Sequence, residues 1–107
     1  LQNKQLKKAL AMSKITIEKE PDNPTYVDTY AWILYLTGRY PEAKAMLKHA
    51  MLYGGTESGD ILDHYAEVLY ALKEYDLAFI YWEQARDKEP ELDLTEKIKQ
   101  RKAAIGR

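Results

Sequence analysis

The sequence contains no cysteine, so its 107 residues can form no disulfide, thiolate zinc site or iron–sulfur cluster and supply no cysteine nucleophile. Long hydrophobic runs are also absent, since a run such as residues 30–36 is far shorter than the ~18 residues that a membrane-spanning helix needs. The formal net charge is only −1, and within residues 24–90 the 11 acidic residues outnumber the 6 basic ones. Because that segment would repel a phosphate backbone, we expect no nucleic-acid binding. Because no run is long enough to span a bilayer, we expect no membrane insertion.

Groups suited to nucleophilic catalysis are scarce as well. The only serines are Ser13, in a lysine-rich stretch, and Ser58, at a predicted helix cap, and neither lies in a nucleophile motif. The glycine-rich loop at residues 54–59 contains an acid and no lysine, unlike a phosphate-binding loop. We therefore expect no catalytic residue, and we predict that the chain is not an enzyme.

The two histidines are candidate metal ligands. His49 has no second ligand at helical spacing, so we expect a surface or partly buried side chain. Asp60, His64 and Glu67 are spaced i, i+4 and i+7, which could present two oxygens and one nitrogen to a divalent metal. Such triples are common on solvated helix faces, so we favour an exposed polar stripe and expect no metal and no cofactor.

The chain repeats itself at an offset of 35 residues. Residues 28–35 align with residues 63–70, and three further identities continue the match: Tyr40 with Tyr75, Ala43 with Ala78, and Ala50 with Ala85. The spacings of three, four and seven predict a repeated pair of packed helices.

Local signals place the helix boundaries. Asn23 before Pro24 is typical of a helix start, Ser58 is a second predicted cap, and Gly38 supplies the left-handed residue that ends a helix. Short connections require antiparallel neighbours. We predict six helices, at about residues 3–19, 24–37, 41–53, 59–72, 75–88 and 93–104.

These features resemble the tetratricopeptide repeat (TPR). The resemblance lies in Tyr-Ala-x-x-Leu-Tyr followed by a Tyr-x-x-Ala, at residues 30–43 and 65–78, with Pro90 after the second unit. It implies an all-α fold, a right-handed α-solenoid of antiparallel helical hairpins. The sequence departs from the family pattern at Val27 and Leu62, where tryptophan is usual, and at Lys73, which replaces the small residue that Gly38 supplies. We expect a less favourable turn at Lys73.

The repeat divides the chain into four predicted segments. Residues 1–23 are the second helix of a preceding partial repeat, residues 24–58 and 59–92 are two complete units, and residues 93–107 are a C-terminal capping helix. We expect the chain to be the C-terminal segment of a longer repeat array. Any self-association should be weak and result from truncation, because the first helix lacks the partner of a complete unit.

The resemblance also implies a binding surface, because the first helix of each unit lines the concave face that holds peptides in this family. We predict an acidic and aromatic groove that binds a segment with Lys or Arg and apolar residues. Asp28 and Asp63 stand where a clamp for a C-terminal carboxylate would need cations, which disfavours such a clamp. The predicted groove residues are Asp28, Trp32, Tyr35, Leu36, Asp63, Glu67 and Tyr70.

We therefore predict a non-catalytic adaptor or scaffold that binds a protein or peptide partner. One alternative is a purely structural role, in which this segment ends a longer solenoid and the aromatic residues only cover a neighbouring helix. Another is a regulatory repeat attached to an enzyme that lies outside the chain.

Overall fold

A computed structural model describes residues 3–107, and the first two residues of the predicted preceding repeat lie outside this range. The described part contains no strand and measures 40 × 29 × 22 Å. None of its helices is long and apolar enough to cross a membrane. The six helices are α1 (Asn3–Lys19), α2 (Pro24–Leu36), α3 (Tyr40–Leu52), α4 (Gly59–Ala71), α5 (Tyr75–Lys88) and α6 (Thr95–Ala104).

The predicted all-α fold is confirmed, and the helix boundaries lie close to those expected from sequence. The Asn23 side chain accepts a hydrogen bond from the Tyr26 backbone N–H at 3.1 Å, and Ser58 accepts one from Ile61 at 3.3 Å. Two 3₁₀ turns, Gly55–Glu57 and Pro90–Leu92, were not predicted. They tighten the connections before α4 and before α6.

The turn at Lys73 is strained as expected. Lys73 has a φ of 65°, in the same place after α4 that Gly38, with a φ of 82°, takes after α2. The left-handed conformation brings a side-chain Cβ too close to the following carbonyl oxygen, and glycine avoids this contact. The second unit thus adopts the turn of the first without the residue that suits it.

The two hairpins, α2 with α3 and α4 with α5, share one core. Ala31, Ala43, Ala66 and Ala78 are completely buried at 0% exposure, and their small side chains let the paired helices approach closely. Val27 and Leu62, which replace the usual tryptophan, are also buried, so aliphatic side chains fill these sites. The fold is therefore a TPR-like helical repeat.

The flanking helices α1 and α6 cover the two ends of this core. Leu6 of α1 is buried, while Met12 and Ile15 on the same helix are 68% and 56% exposed. A cleft of about 490 Å³ separates the exposed side of α1 from Tyr26 and Ile33 of α2. At the other end, Leu94, which directly precedes α6, and Ile98 of α6 are buried against the core.

Candidate protein-binding surface

The predicted groove residues of the first unit lie along one side of α2. Asp28, Trp32 and Tyr35 follow one another at i, i+4 and i+7, and each is half-buried. Leu36, the last residue of the helix, is 45% exposed. These four residues are called the α2 surface below.

Stacked rings organise the α2 surface. The Trp32 indole lies between two rings, with the Tyr35 centroid at 4.5 Å and the His64 centroid at 4.1 Å, both nearly parallel to it. Tyr35 in turn contacts Tyr40 at 5.4 Å between centroids. The stack fixes the orientation of the tryptophan and leaves part of its surface in contact with solvent.

His64 links the two units at this surface. Its Nδ1 donates a hydrogen bond to Asp28 Oδ1 at 2.8 Å, so Asp28 is paired across the boundary between the units. Burial by itself lowers the pKa of His64, but the hydrogen bond and charge of Asp28, with the charges of Asp63 and Asp60, outweigh it and raise the pKa above its ordinary value. His64 was not among the predicted groove residues. The sequence does contain a signal for His64: it directly follows Asp63, which is equivalent to Asp28 at the repeat offset of 35 residues.

The predicted groove residues of the second unit contact α6 instead of solvent. Asp63 accepts hydrogen bonds from Trp82 Nε1 at 2.7 Å and from Lys97 Nζ at 3.0 Å. Glu67 forms an ion pair with Arg101, and its side chain is only 11% exposed. The Tyr70 hydroxyl donates a hydrogen bond to the backbone carbonyl of Arg101 at 3.2 Å.

Cations lie over the aromatic rings at the same place. The Arg101 guanidinium is 5.0 Å from the Tyr70 ring centroid and 5.3 Å from that of Trp82, and Lys97 Nζ is 5.9 Å from Trp82. We call Asp63, Glu67, Tyr70 and Trp82 the α6 seat. The seven predicted groove residues are thus divided between an open α2 surface and a seat that α6 occupies.

Tyr35 and Glu67 connect the two areas. Burial raises the pKa of the Tyr35 phenol, and the Glu67 carboxylate raises it further. The hydrogen bond and charge of Glu67 also hold the pKa of Arg101 above its ordinary value, although burial by itself would lower it. The charge of Glu67 therefore acts both on Tyr35 of the first unit and on Arg101 of α6.

The other candidates from sequence have structural partners. His49 Nε2 is 2.8 Å from Asp22 Oδ1 and joins α3 to the loop before α2. Ser13 is buried in α1, and Ser58 caps α4 as expected. Of the polar triple considered as a metal site, His64 contacts Asp28 and Glu67 contacts Arg101, so these side chains are directed to different neighbours.

Comparison with known proteins assigns the chain to a family of repeat proteins. No curated protein and no solved structure gave a significant match. The family described as "Anaphase-promoting complex, cyclosome, subunit 3" matches residues 2–85, which is most of the chain. Its repeats are of the TPR type, a class that generally mediates protein–protein interactions and is generally non-catalytic. The chain belongs to this family of TPR-type repeats.

Proposed function

We propose that the α2 surface binds a segment of a partner protein that carries Lys or Arg together with apolar residues. The observation that carries this proposal is the combination on α2 of a stacked Trp32–Tyr35 pair, the exposed Leu36 and the Asp28 carboxylate, which is paired with His64. Rigid aromatic side chains give large contact areas at low entropic cost. The acids favour the approach of a basic segment.

The geometry of α6 supports the chemistry of this proposal. α6 is itself a helix with Lys97 and Arg101 beside Leu94 and Ile98, and it packs against acids and aromatic rings of the second unit. The chain therefore already contains one contact between a basic amphipathic segment and this kind of face. In the proposed complex Asp28, Trp32, Tyr35 and Leu36 contact the partner, while Asp63, Glu67 and Tyr70 hold α6.

The test is selection of ligands from a displayed peptide library, followed by affinity measurement with matched variants. We expect selected peptides to be enriched in Lys or Arg next to apolar residues. Leu36→Ala should weaken their binding, because Leu36 lies on the α2 surface. Leu52→Ala removes another exposed leucine, 80% exposed at the end of α3, and should leave the affinity unchanged. Equal affinities of the two variants would overturn the proposed site.

A structural role is the second candidate function. It is favoured by the stacking of Trp32 on His64, which makes this tryptophan part of the contact between the units. On that hypothesis Trp32→Ala lowers the free energy of unfolding, whereas Leu36→Ala changes neither stability nor binding. Parallel unfolding and binding measurements on both variants separate the two functions.

A further inference from the structure

Charged contacts are numerous in the attachment of α6 and its C-terminal extension. Four basic side chains there each meet an acid of α4 or α5. These pairs are Lys97 with Asp63 at 3.0 Å, Arg101 with Glu67 at 2.5 Å, Lys102 with Glu83 at 3.8 Å and Arg107 with Asp76 at 2.5 Å. Residues 95–107 contain 5 basic residues and 1 acidic residue, a net charge of +4, against the acidic excess of residues 24–90. The attachment therefore includes charge complementarity between residues 95–107 and acids of the second unit.

The apolar part of this attachment is small. Leu94 and Ile98 are the buried residues that it contributes, and Ile105 is partly buried. α6 has only 10 residues, which is too short for a stable isolated helix in water. The helix is therefore maintained by its contacts with the seat.

The segment that precedes α6 is also held in a costly conformation. Asp93 has a φ of 49°, a left-handed value for a residue with a Cβ, and it directly follows the 3₁₀ turn Pro90–Leu92. A backbone of this kind persists when surrounding contacts enforce it.

The area under α6 is an acidic surface with aromatic residues beneath. Trp82 is completely buried and Phe79 is 5% exposed, and both lie next to Tyr70. Lys102 Nζ is 5.4 Å from the Phe79 ring centroid, which extends the row of cations over rings formed by Lys97 and Arg101. Once α6 leaves, this surface presents two carboxylates above exposed aromatic rings, a combination that suits a basic amphipathic helix.

We propose that the α6 seat is a docking site for a basic amphipathic helix of a partner protein, and that α6 competes with this helix within the chain. The contacts of α6 define the ligand: two apolar residues four positions apart, as at Leu94 and Ile98, each followed three residues later by Lys or Arg, as at Lys97 and Arg101. This inference deepens the proposed function by giving the partner's chemistry at the second unit. It uses the α6 seat and not the α2 surface, so each can fail without the other.

The test uses the full chain and a fluorescent peptide with the sequence of residues 93–107 as the probe. Two variants break the same Arg101–Glu67 ion pair from opposite sides. Arg101→Gln weakens α6 and leaves the seat intact, so it should bind the probe about tenfold more tightly than the unchanged chain, because the competing helix occupies the seat less. Glu67→Gln breaks the same ion pair, together with the 4.0 Å contact between Glu67 and Lys97, but it also damages the seat, so it should gain no affinity. Fluorescence anisotropy measures both.

Two further controls make the comparison specific. Lys99→Gln removes one positive charge from an exposed position of α6 that makes no ion pair within residues 3–107, and it should leave probe binding unchanged. A probe with glutamate in place of Lys97 and Arg101 should not bind any variant. Equal gains for Arg101→Gln and Glu67→Gln would overturn the proposal, because they would indicate non-specific adhesion to an opened core.

Hydrogen exchange on the unchanged chain keeps the proposal testable if a variant fails to fold. We expect the amides of α6 to exchange faster in 1 M salt than in 50 mM salt, while those of α4 do not change, because screening weakens the ion pairs of α6 selectively. Equal protection of α6 and α4 at both salt concentrations would also overturn the proposal. If the probe does not bind but the selected peptides still bind the α2 surface, this inference alone is rejected. If the probe binds the α6 seat but no peptide binds the α2 surface, only the proposed function is rejected.

Discussion

Trp82 joins α4, α5 and α6, and its replacement by phenylalanine measures how strongly one side chain holds them together. The indole is completely buried, its Nε1 donates to Asp63 at 2.7 Å, and Lys97 and Arg101 lie over its ring. Trp82→Phe keeps an aromatic ring at this site but removes the donor and part of the buried volume. Asp63 retains Lys97 as a partner, so the carboxylate is not left unpaired.

The expected loss follows from these contacts. A hydrogen bond to a charged group contributes about 1.5–3 kcal/mol, and the retained Lys97 contact places this one at the lower end. Loss of buried ring volume adds about 1 kcal/mol. Trp82→Phe should therefore lower the free energy of unfolding by about 2–3 kcal/mol, which for a chain of this size lowers Tm by roughly 10 °C.

The assay is urea unfolding followed by circular dichroism at 222 nm, which does not depend on tryptophan. Asp63→Ala is the companion variant, because it removes both the acceptor for Trp82 Nε1 and the charge that Lys97 contacts. The double variant should be less destabilised than the sum of the two single variants by about 1 kcal/mol, which is the coupling between the side chains. A loss under about 0.5 kcal/mol for Trp82→Phe, or strict additivity, would refute the reasoning.

Three further outcomes are expected. Lys73→Gly should raise the free energy of unfolding by about 0.5–1 kcal/mol in thermal denaturation, because glycine adopts the φ of 65° without a Cβ contact. Gly38→Ala should lower it by about 1 kcal/mol through backbone conformation alone, since an added Cβ meets no atom within 4 Å; an unchanged Tm would contradict this. The folded-state pKa of His64 is raised, so its pairing with Asp28 stabilises the fold fully below the ordinary histidine pKa of ~6.5. This stabilisation is lost as the pH rises through the folded-state pKa, and the free energy of unfolding should fall over that interval. Asp28→Asn should flatten this pH dependence, and an unaltered slope in chemical denaturation at several pH values would show that another group causes it.

The helix boundaries were predictable because short-range contacts set them. The caps at Asn23 and Ser58 bind backbone N–H groups three residues away, and Gly38 adopts its left-handed conformation within its own turn. The core was also predictable, because its small residues occur at equivalent positions of both units, as do the buried Ala31 and Ala66.

The division of the candidate groove was not predicted, because it depends on contacts between residues about 35 positions apart. The sequence predicts Asp63 and Glu67 as groove residues free to bind a ligand and does not join them to Lys97 and Arg101. A signal for their pairing was present: Asp63 and Glu67 are four residues apart, and so are Lys97 and Arg101. Two parallel i, i+4 pairs of opposite charge match when the helices lie side by side. To pair these residues from sequence, one would also need the orientation and axial register of α6 relative to α4, and side-chain packing decides both.

The polar contacts between helices have a mechanical consequence. Side-chain hydrogen bonds across the described chain join residues that are at most 36 positions apart, as in the bond from His64 to Asp28. No such bond links the first helix to the last within residues 3–107, so a pulling force applied to the two ends meets the contacts in series. We expect the chain to unravel from its ends by one helix or hairpin at a time at moderate force, and to refold quickly because each step closes only a short loop. Such a chain yields gradually under tension and regains its shape when the load is removed.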